Sequence, residues 1–337
     1  MRAALSLLLL VLLSACSAQA PMESAQTDWQ PLAQVSFESD GQTPWISIPP
    51  SGSGVALRVT AEAGVCFELS GAATPDGEPL TRRFAGPECP DCPLRTSVAA
   101  EAGVFVLSSA TQVRFGVTDC ETLNPRELAA GELEVEVQQV AAAERSVLPL
   151  RLFVARDSTL LSDENERQRL LAAVDAELGR AGVTARLVDV EPLPAPAGTL
   201  RFHAGDASEL ADLLAERPSD TREVRVVIAG CLEYADPLFG PPVSVDGYTP
   251  RVLGGAGAAD GVFLPELDCT SSFPLSITPG ARGRILAHEL GHYLGLFHTD
   301  PDRDGDANLM NPNPSLSVAH GLTNAQVEAL RRHPVLQ

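Results

Sequence analysis

Three histidines and a glutamate occupy one short stretch of the chain. His288 and His292 are four residues apart, so on a helix their imidazoles project from one face, one turn apart, and can bind the same metal ion. Glu289 follows the first histidine, where its carboxylate can reach a water on the metal without binding the metal itself. His298 follows six residues after His292. The pattern predicts a metal site with a general base beside it.

Gly295 accounts for the position of the third histidine. A continuing helix would carry residue 298 away from the metal, whereas glycine tolerates the left-handed conformation that a sharp turn requires. His298 can then return as the third ligand. Three imidazoles and an open fourth position are typical of a catalytic zinc rather than a structural one. The alternative, that the histidines are ordinary core residues, is disfavoured because several fixed positions agree.

Residues 288–298 match the HExxHxxGxxH signature of the metzincin zinc peptidases at every fixed position, so the chain resembles that family. The resemblance implies a zinc-dependent endopeptidase that hydrolyses protein or peptide substrates with a zinc-activated water and Glu289 as the general base. It also implies a methionine turn beneath the metal, for which Met310 is the candidate. Residues 288–299 look like the pappalysin-like branch. No tyrosine follows Met310, so the extra tyrosine ligand of astacin-like and serralysin-like members is expected to be absent.

The alternative function is a surface lipoprotein binding or adhesion module with a vestigial peptidase domain. Intact Glu289 disfavours this alternative, because catalysis alone requires that residue.

An acidic loop between His298 and Met310 is a candidate calcium site. Its carboxylates are spaced like the first half of a calcium loop, with Gly305 at the turn. Asn311 stands where such a loop needs a glutamate, so a solvated acidic turn is the other interpretation. The carboxylates belong to Asp300, Asp302, Asp304 and Asp306.

The remaining histidines have no ligand-like neighbours, and we expect surface or structural roles for His203, His320 and His333. Residues 322–331 have the pattern of a final amphipathic helix, capped by Thr323 or Asn324. We expect this helix to pack behind the methionine turn.

The elements around the site predict an α+β catalytic domain over residues 147–337. A strand over 148–155 precedes a helix that Asp163 and Glu166 cap and that Gly179 or Gly182 ends. Further strands are predicted over 186–190, 224–228, 243–253 and 261–264, giving a mixed sheet with an edge where an extended peptide could pair. The active-site helix is predicted to begin near Thr278.

Residues 31–142 predict an all-β, sandwich-like accessory domain. Apolar residues alternate with polar or small ones in several short runs, which turn residues separate. A structural or adhesive role is the main interpretation, and a zymogen-like inhibitory segment is the alternative. The alternating positions include Val55, Leu57 and Val59; Val65, Phe67 and Leu69; Val113, Phe115 and Val117; Leu133, Val135 and Val137.

The first residues predict export. An apolar run over residues 3–13, too short to span a bilayer, follows Arg2 and ends at Cys16 in a sequence that resembles a bacterial lipobox. The resemblance implies a signal peptide over 1–15, a lipid anchor on Cys16, a tether over 16–30 and, with Ser17 next, an outer-membrane or cell-surface location. An ordinary secretory signal with an incidental cysteine is the alternative. The net charge of −20 argues against a nucleic-acid partner.

Six cysteines remain once Cys16 is assigned to lipid, four in the first half of the chain and two in the second, so each half holds an even number. We predict a Cys231–Cys269 disulfide in the second half, as expected in an oxidising compartment. In the first half three pairings stay open, and a redox or zinc role for the CxxC of residues 89–92 is the alternative. The four cysteines concerned are Cys66, Cys89, Cys92 and Cys120.

Overall fold

The computed structural model describes residues 28–336, except for 51–53, 75–76, 78–93, 96–100, 108–111, 121–123, 127–130, 141–144, 194–197, 204–207, 216–221, 236–240, 256–259, 270–274, 300–306 and 314–319. The predicted signal peptide, Cys16 and most of the predicted tether lie outside the described residues, as do Cys89, Cys92 and the four aspartates of the candidate calcium loop. Within the described part of the chain, no helix is long and apolar enough to cross a membrane.

The first half of the chain is built from strands. They are β1 (Gln30–Ser36), β2 (Ile46–Ser47), β3 (Val55–Ala61), β4 (Cys66–Ala73), β5 (Leu94–Arg95), β6 (Ala102–Leu107), β7 (Gln112–Thr118) and β8 (Glu132–Gln139). All their pairings are antiparallel, in one sheet ordered β1-β8-β3-β6-β5 and another ordered β2-β7-β4. A shared apolar core contains Phe105 of the first sheet and Phe67 and Phe115 of the second, with ring centroids 5.1–6.3 Å apart.

The second half combines strands and helices. Its strands are β9 (Ser146–Val154), β10 (Val183–Pro192), β11 (Thr199–Phe202), β12 (Val224–Ala229), β13 (Cys231–Tyr234), β14 (Val243–Ser244), β15 (Val262–Pro265), β16 (Leu267–Asp268) and β17 (Leu275–Ser276). Its helices are α1 (Glu164–Leu178), α2 (Ser208–Ala215), α3 (Pro279–Tyr293) and α4 (Asn324–Arg331). The half is therefore α+β, as predicted.

The main sheet of this half has the order β10-β9-β12-β15, and its strand pairs are parallel. Its mixed character comes from one antiparallel bridge between Tyr248 and Phe263, at the edge formed by β15. The prediction of a strand over 243–253 was wrong for most of that length, since β14 covers Val243–Ser244. Pro250 has no N–H to donate to a ladder, and Leu253 has a φ of 62°, so the segment cannot continue as a regular strand.

Helix α1 packs against α3 and supports it from behind. The Asp163 carboxylate accepts hydrogen bonds from the N–H groups of Asn165 and Glu166, a cap that contributes about 1 kcal/mol. In a capping box the Glu166 carboxylate would accept a hydrogen bond from the Asp163 N–H. Here it accepts one from the Thr159 hydroxyl instead. The helix ends at Gly179, and Gly182 follows with a φ of 75°.

Strand β6 is buried on both faces and joins the two halves of the molecule. Phe105 and Leu107 belong to the core between the two antiparallel sheets, whereas Val104 and Val106 belong to the same apolar core as α1 and α3. Alternate residues of a strand point to opposite faces, so one strand contributes to both cores. The continuous apolar run of β6 is the sequence signature of this double burial.

Two disulfides lie in the described residues. Cys231 and Cys269 are bonded, which joins β13 to the end of β16. Among the three pairings left open in the first half, the structure has Cys66 bonded to Cys120.

Candidate active site

Helix α3 carries the first two histidines and the glutamate. It begins after Thr278, whose hydroxyl accepts a hydrogen bond from the Ala281 N–H, and Pro279 occupies the first turn. The sequence predicted this start. His288 and Glu289 are both 6% exposed and His292 is 9% exposed, so the polar face of the helix lies inside the protein. Burial of several polar side chains on one helix turn indicates a site rather than a solvated surface.

A glycine turn returns the chain towards these histidines. Gly295 has a φ of 103°, its N–H bonds to the His292 carbonyl, and the N–H of Leu296 bonds to the Gly291 carbonyl. This pair of hydrogen bonds is a Schellman motif, which a left-handed residue after the helix makes possible. The turn brings the His298 side chain back to the end of α3.

The three imidazoles converge on one point. The Nε2 atom of His298 is 3.3 Å from Nε2 of His288 and 3.0 Å from Nε2 of His292. A tetrahedral zinc with Zn–N bonds of 2.0–2.1 Å separates its nitrogen ligands by about 3.3 Å. The spacing therefore fits a single zinc ion. Among the His, Cys, Asp and Glu side chains of the described residues, these three histidines form the group whose ligand atoms lie close enough together to bind one metal ion.

Backbone carbonyls fix the two helical imidazoles in the tautomer that a metal requires. Nδ1 of His288 lies 2.6 Å from the Leu309 carbonyl, and Nδ1 of His292 lies 2.7 Å from the Leu296 carbonyl. A carbonyl can only accept, so each Nδ1 donates and each neutral ring keeps a lone pair on Nε2. Burial lowers the pKa of His288 to about 4 and that of His292 to about 3, which keeps both rings neutral near pH 7. Burial also lowers the pKa of His298.

Met310 lies beneath the histidines. It is fully buried, and a Cβ at position 291 would be 2.4 Å from its sulfur, so Gly291 allows α3 to rest directly on the methionine. The Met310 carbonyl accepts from the Thr299 N–H, and its N–H donates to the Asn308 side chain. The turn around Met310 thus contacts both α3 and Thr299, the residue after His298.

Helix α4 packs against this turn, as the sequence suggested. Thr323 caps it in a complete capping box with Gln326. The Asn308 side-chain amide donates to Oε1 of Gln326 at 3.0 Å, and the Gln326 amide donates to Oδ1 of Asn308 at 3.2 Å. This reciprocal pair ties the C-terminal helix to the methionine turn.

The Glu289 carboxylate is enclosed by the segment that follows β14. The Thr249 hydroxyl lies 2.8 Å from Oε2, and a Cβ at position 247 would lie 2.7 Å from Oε1. Burial, with a smaller contribution from Asp246, raises the pKa of Glu289 to about 7, and the hydrogen bond from Thr249 opposes this rise. A carboxylate with a pKa near the working pH suits a general base. Sequence reasoning missed Gly247 and Thr249, because no motif marks them.

Two of the other histidines are more deeply placed than the sequence suggested. His320 is 1% exposed beside the buried Glu177, whose carboxylate accepts a hydrogen bond from the backbone N–H of His320. His333 is 2% exposed, and its Nε2 lies 3.2 Å from the Gly254 carbonyl. Of the two expected roles, surface or structural, burial favours the structural one for both. His203 is partly exposed at the end of β11.

No family model and no curated protein matches the chain. Solved structures match at low similarity. An archaemetzincin from Methanopyrus kandleri has 21% identity over 55% of this chain and 94% of its own, with a TM-score of 0.36. Mature mirolysin from Tannerella forsythia, in complex with a cleaved peptide, has 13% identity over 56% and 91%, with a TM-score of 0.34. A zinc-dependent peptidase from Methanocorpusculum labreanum has 15% identity over 53% and 99%, with a TM-score of 0.35. These values are too low to establish an activity for this chain.

Proposed function

We propose that the chain is a zinc-dependent endopeptidase that hydrolyses proteins or peptides outside the cytoplasm. The observation that carries the proposal is the convergence of three imidazole Nε2 atoms, spaced for a tetrahedral zinc. The buried Glu289 follows the first of these histidines on α3. His288, His292 and His298 leave a fourth coordination position for water or substrate. The complete HExxHxxGxxH pattern supports assignment to the metzincins, with a pappalysin-like branch as the finer proposal.

In the proposed mechanism, the histidines bind zinc and Glu289 transfers the proton. When bound, zinc would act as a Lewis acid that polarises the scissile carbonyl and lowers the pKa of the attacking water. His288, His292 and His298 hold it. Glu289 accepts a proton from the attacking water and delivers it to the amine that leaves. Met310 and the turn around it form the floor that fixes the positions of the helical histidines.

The proposed location is the cell exterior, on a lipid anchor at Cys16. Two disulfides, Cys66–Cys120 and Cys231–Cys269, support an oxidising compartment. Calcium in the loop of Asp300, Asp302, Asp304 and Asp306 remains a subsidiary proposal, which a rise in melting temperature with added calcium would support.

Replacement of the base tests the proposal. Glu289→Ala should keep one zinc per chain and lose peptidase activity by at least about 100-fold, because the proton acceptor is gone. The assay compares zinc content and casein cleavage, with and without a zinc chelator. Glu328→Ala, on the exposed side of α4, is the matched control and should behave like the wild type.

Two results would contradict the proposal. One is substantial cleavage by Glu289→Ala. The other is a wild-type protein that binds stoichiometric zinc and cleaves no member of a peptide library.

A further inference from the structure

An extended segment lies alongside the glutamate of α3. Tyr248 donates its N–H to the Phe263 carbonyl and accepts from the Phe263 N–H, each at 2.9 Å. This two-way exchange defines an antiparallel pair, so the backbone at Tyr248 is strand-like. In an extended chain the residues on either side of Tyr248 face the opposite way from its ring.

The two faces of this segment have different neighbours. The Tyr248 ring stacks on Phe202, with centroids 3.7 Å apart and planes inclined by 19°. Gly247 and Thr249 face Glu289 instead. A Cβ at position 247 would lie 2.7 Å from Oε1 and 2.8 Å from Cγ of Glu289, so the backbone there is in close contact with the carboxylate. Absence of a side chain at this position leaves room for the carboxylate.

The Thr249 hydroxyl can reach two acceptors on the same residue. It is 2.8 Å from Oε2 of Glu289 and 3.0 Å from the Glu289 backbone carbonyl. One hydroxyl carries one proton, and an ionised carboxylate is the stronger acceptor. The β-branched threonine has few χ1 rotamers, so the hydroxyl is held in place.

The end of the segment is attached to the end of the same helix. Leu253 donates its N–H to the His292 carbonyl at 3.0 Å, and Gly254 donates to the Tyr293 carbonyl at 2.9 Å. Leu253 is fully buried with a φ of 62°, a strained conformation that persists only where the surroundings impose it. The segment is thus held at Tyr248 by its pairing with Phe263 and at Leu253 by its bond to α3. These two attachments fix the position of Thr249 relative to Glu289.

We infer that Thr249 is a positioning residue for the general base. Its hydroxyl anchors Oε2 of Glu289, which leaves Oε1 to take the proton from water, and Gly247 keeps the space beside Oε1 free. This inference rests on the proposed peptidase function and goes beyond it, because the zinc-binding motif contains neither residue.

Substitution of the hydroxyl tests the inference through kinetics. Thr249→Val keeps the shape of the side chain and should lower kcat by about 10- to 100-fold, the usual effect of losing a hydrogen bond to a charged group. KM and zinc content should stay within about twofold of wild type, since neither substrate binding nor the imidazoles are altered. Thr249→Ser keeps the hydroxyl and should restore most of the rate.

A crystal structure of the zinc-loaded Thr249→Val protein supplies a second readout. The Glu289 carboxylate should move by more than about 0.5 Å relative to wild type, the tolerance of a productive site. A carboxylate that keeps its position, wild-type kcat in Thr249→Val, or equal losses in the Val and Ser variants would each overturn the inference. If the wild type binds zinc and cleaves nothing, the proposed function fails, while the carboxylate position still decides the role of Thr249.

Discussion

At the scale of single residues, the metal site depends on backbone groups as much as on the histidines. The carbonyls of Leu309 and Leu296 orient the rings of His288 and His292 and determine which nitrogen is available. A sequence motif shows the ligand types but not the carbonyls that fix their tautomers, because any residue can supply a carbonyl. Residue type and spacing alone therefore predict the candidate ligands, and the structure brings these three histidines together. The carbonyls that accept hydrogen bonds from the Nδ1 atoms could be identified only from the folded structure.

Removal of the third ligand gives a direct test of the zinc site. His298→Ala leaves two imidazoles, so zinc affinity should fall by at least about 100-fold, more than loss of an outer partner typically costs. A competition titration with a chromophoric chelator measures the affinity. His203→Ala, at a partly exposed histidine away from the trio, is the matched control and should bind zinc like the wild type. Unchanged affinity in His298→Ala would remove that residue from the ligand set.

At the scale of elements, helices were more predictable than the segments between them. Thr278 and Pro279 mark the start of α3, and Gly295 marks its end, because caps and left-handed turns depend on local residue types. For the segment of Thr249, the sequence pattern predicts a regular strand. Its path depends on hydrogen bonds to Phe263 and to the end of α3, which are distant in sequence, so local pattern could not reveal it.

The packing of the C-terminal residues against that segment involves a buried neutral histidine. Nε2 of His333 donates to the Gly254 carbonyl, and Nδ1 accepts from the Val335 N–H, so one neutral tautomer satisfies both bonds. Burial lowers the pKa of His333 to about 4, against an ordinary value of 6.5. Between these pH values the unfolded chain binds one more proton than the folded chain. The contribution to stability is complete above about pH 6.5 and is lost as the pH falls towards 4.

Replacement of His333 should weaken this pH dependence. In zinc-free protein, His333→Gln should reduce the fall in unfolding free energy by about 1.4 kcal/mol per pH unit between pH 6.5 and 4, relative to wild type. Urea unfolding at pH 7, 6 and 5 measures this difference in unfolding free energy. The other buried histidines contribute equally to the pH dependence of both proteins, so their effect cancels. Val188→Ala, at an exposed valine of β10 that does not titrate, is the control and should run parallel to wild type. A parallel curve for His333→Gln would contradict the assignment.

At the scale of the whole molecule, the two halves are joined through β6 and two arginines. Nη1 of Arg251 donates to the Ala102 carbonyl at 2.8 Å, and its Nε lies 2.8 Å from the buried Asp260 carboxylate. Arg332, after α4, donates to the Val106 carbonyl. Arg251 belongs to the same segment as Thr249, so the N-terminal sheets support the segment that encloses the Glu289 carboxylate. Sequence periodicity indicated two halves but could not show that their cores meet.

A shared core predicts that the halves unfold together. Trp45 lies against Arg114 of the first half, whereas Trp29 packs against the core of the second, so a Trp29→Phe background leaves Trp45 as the reporter of the first half. Every helix in the described part of the chain lies in the second half. Tryptophan fluorescence and far-ultraviolet circular dichroism at the helix band therefore report on different halves. Their transitions in guanidinium chloride should coincide, which is the test of a single cooperative unit.

Val106 tests the same coupling by substitution. Val106→Ala removes two buried methyl groups from the side of β6 that faces the second half and should lower the unfolding free energy by roughly 2 kcal/mol. Because the core is shared, fluorescence and dichroism should shift together. Val188→Ala, at a valine 40% exposed on β10, is the matched control and should change stability by less than about 0.5 kcal/mol. A fluorescence transition that moves while dichroism stays at its wild-type midpoint would show that the two halves unfold independently, with Arg251 and Arg332 bridging separate units.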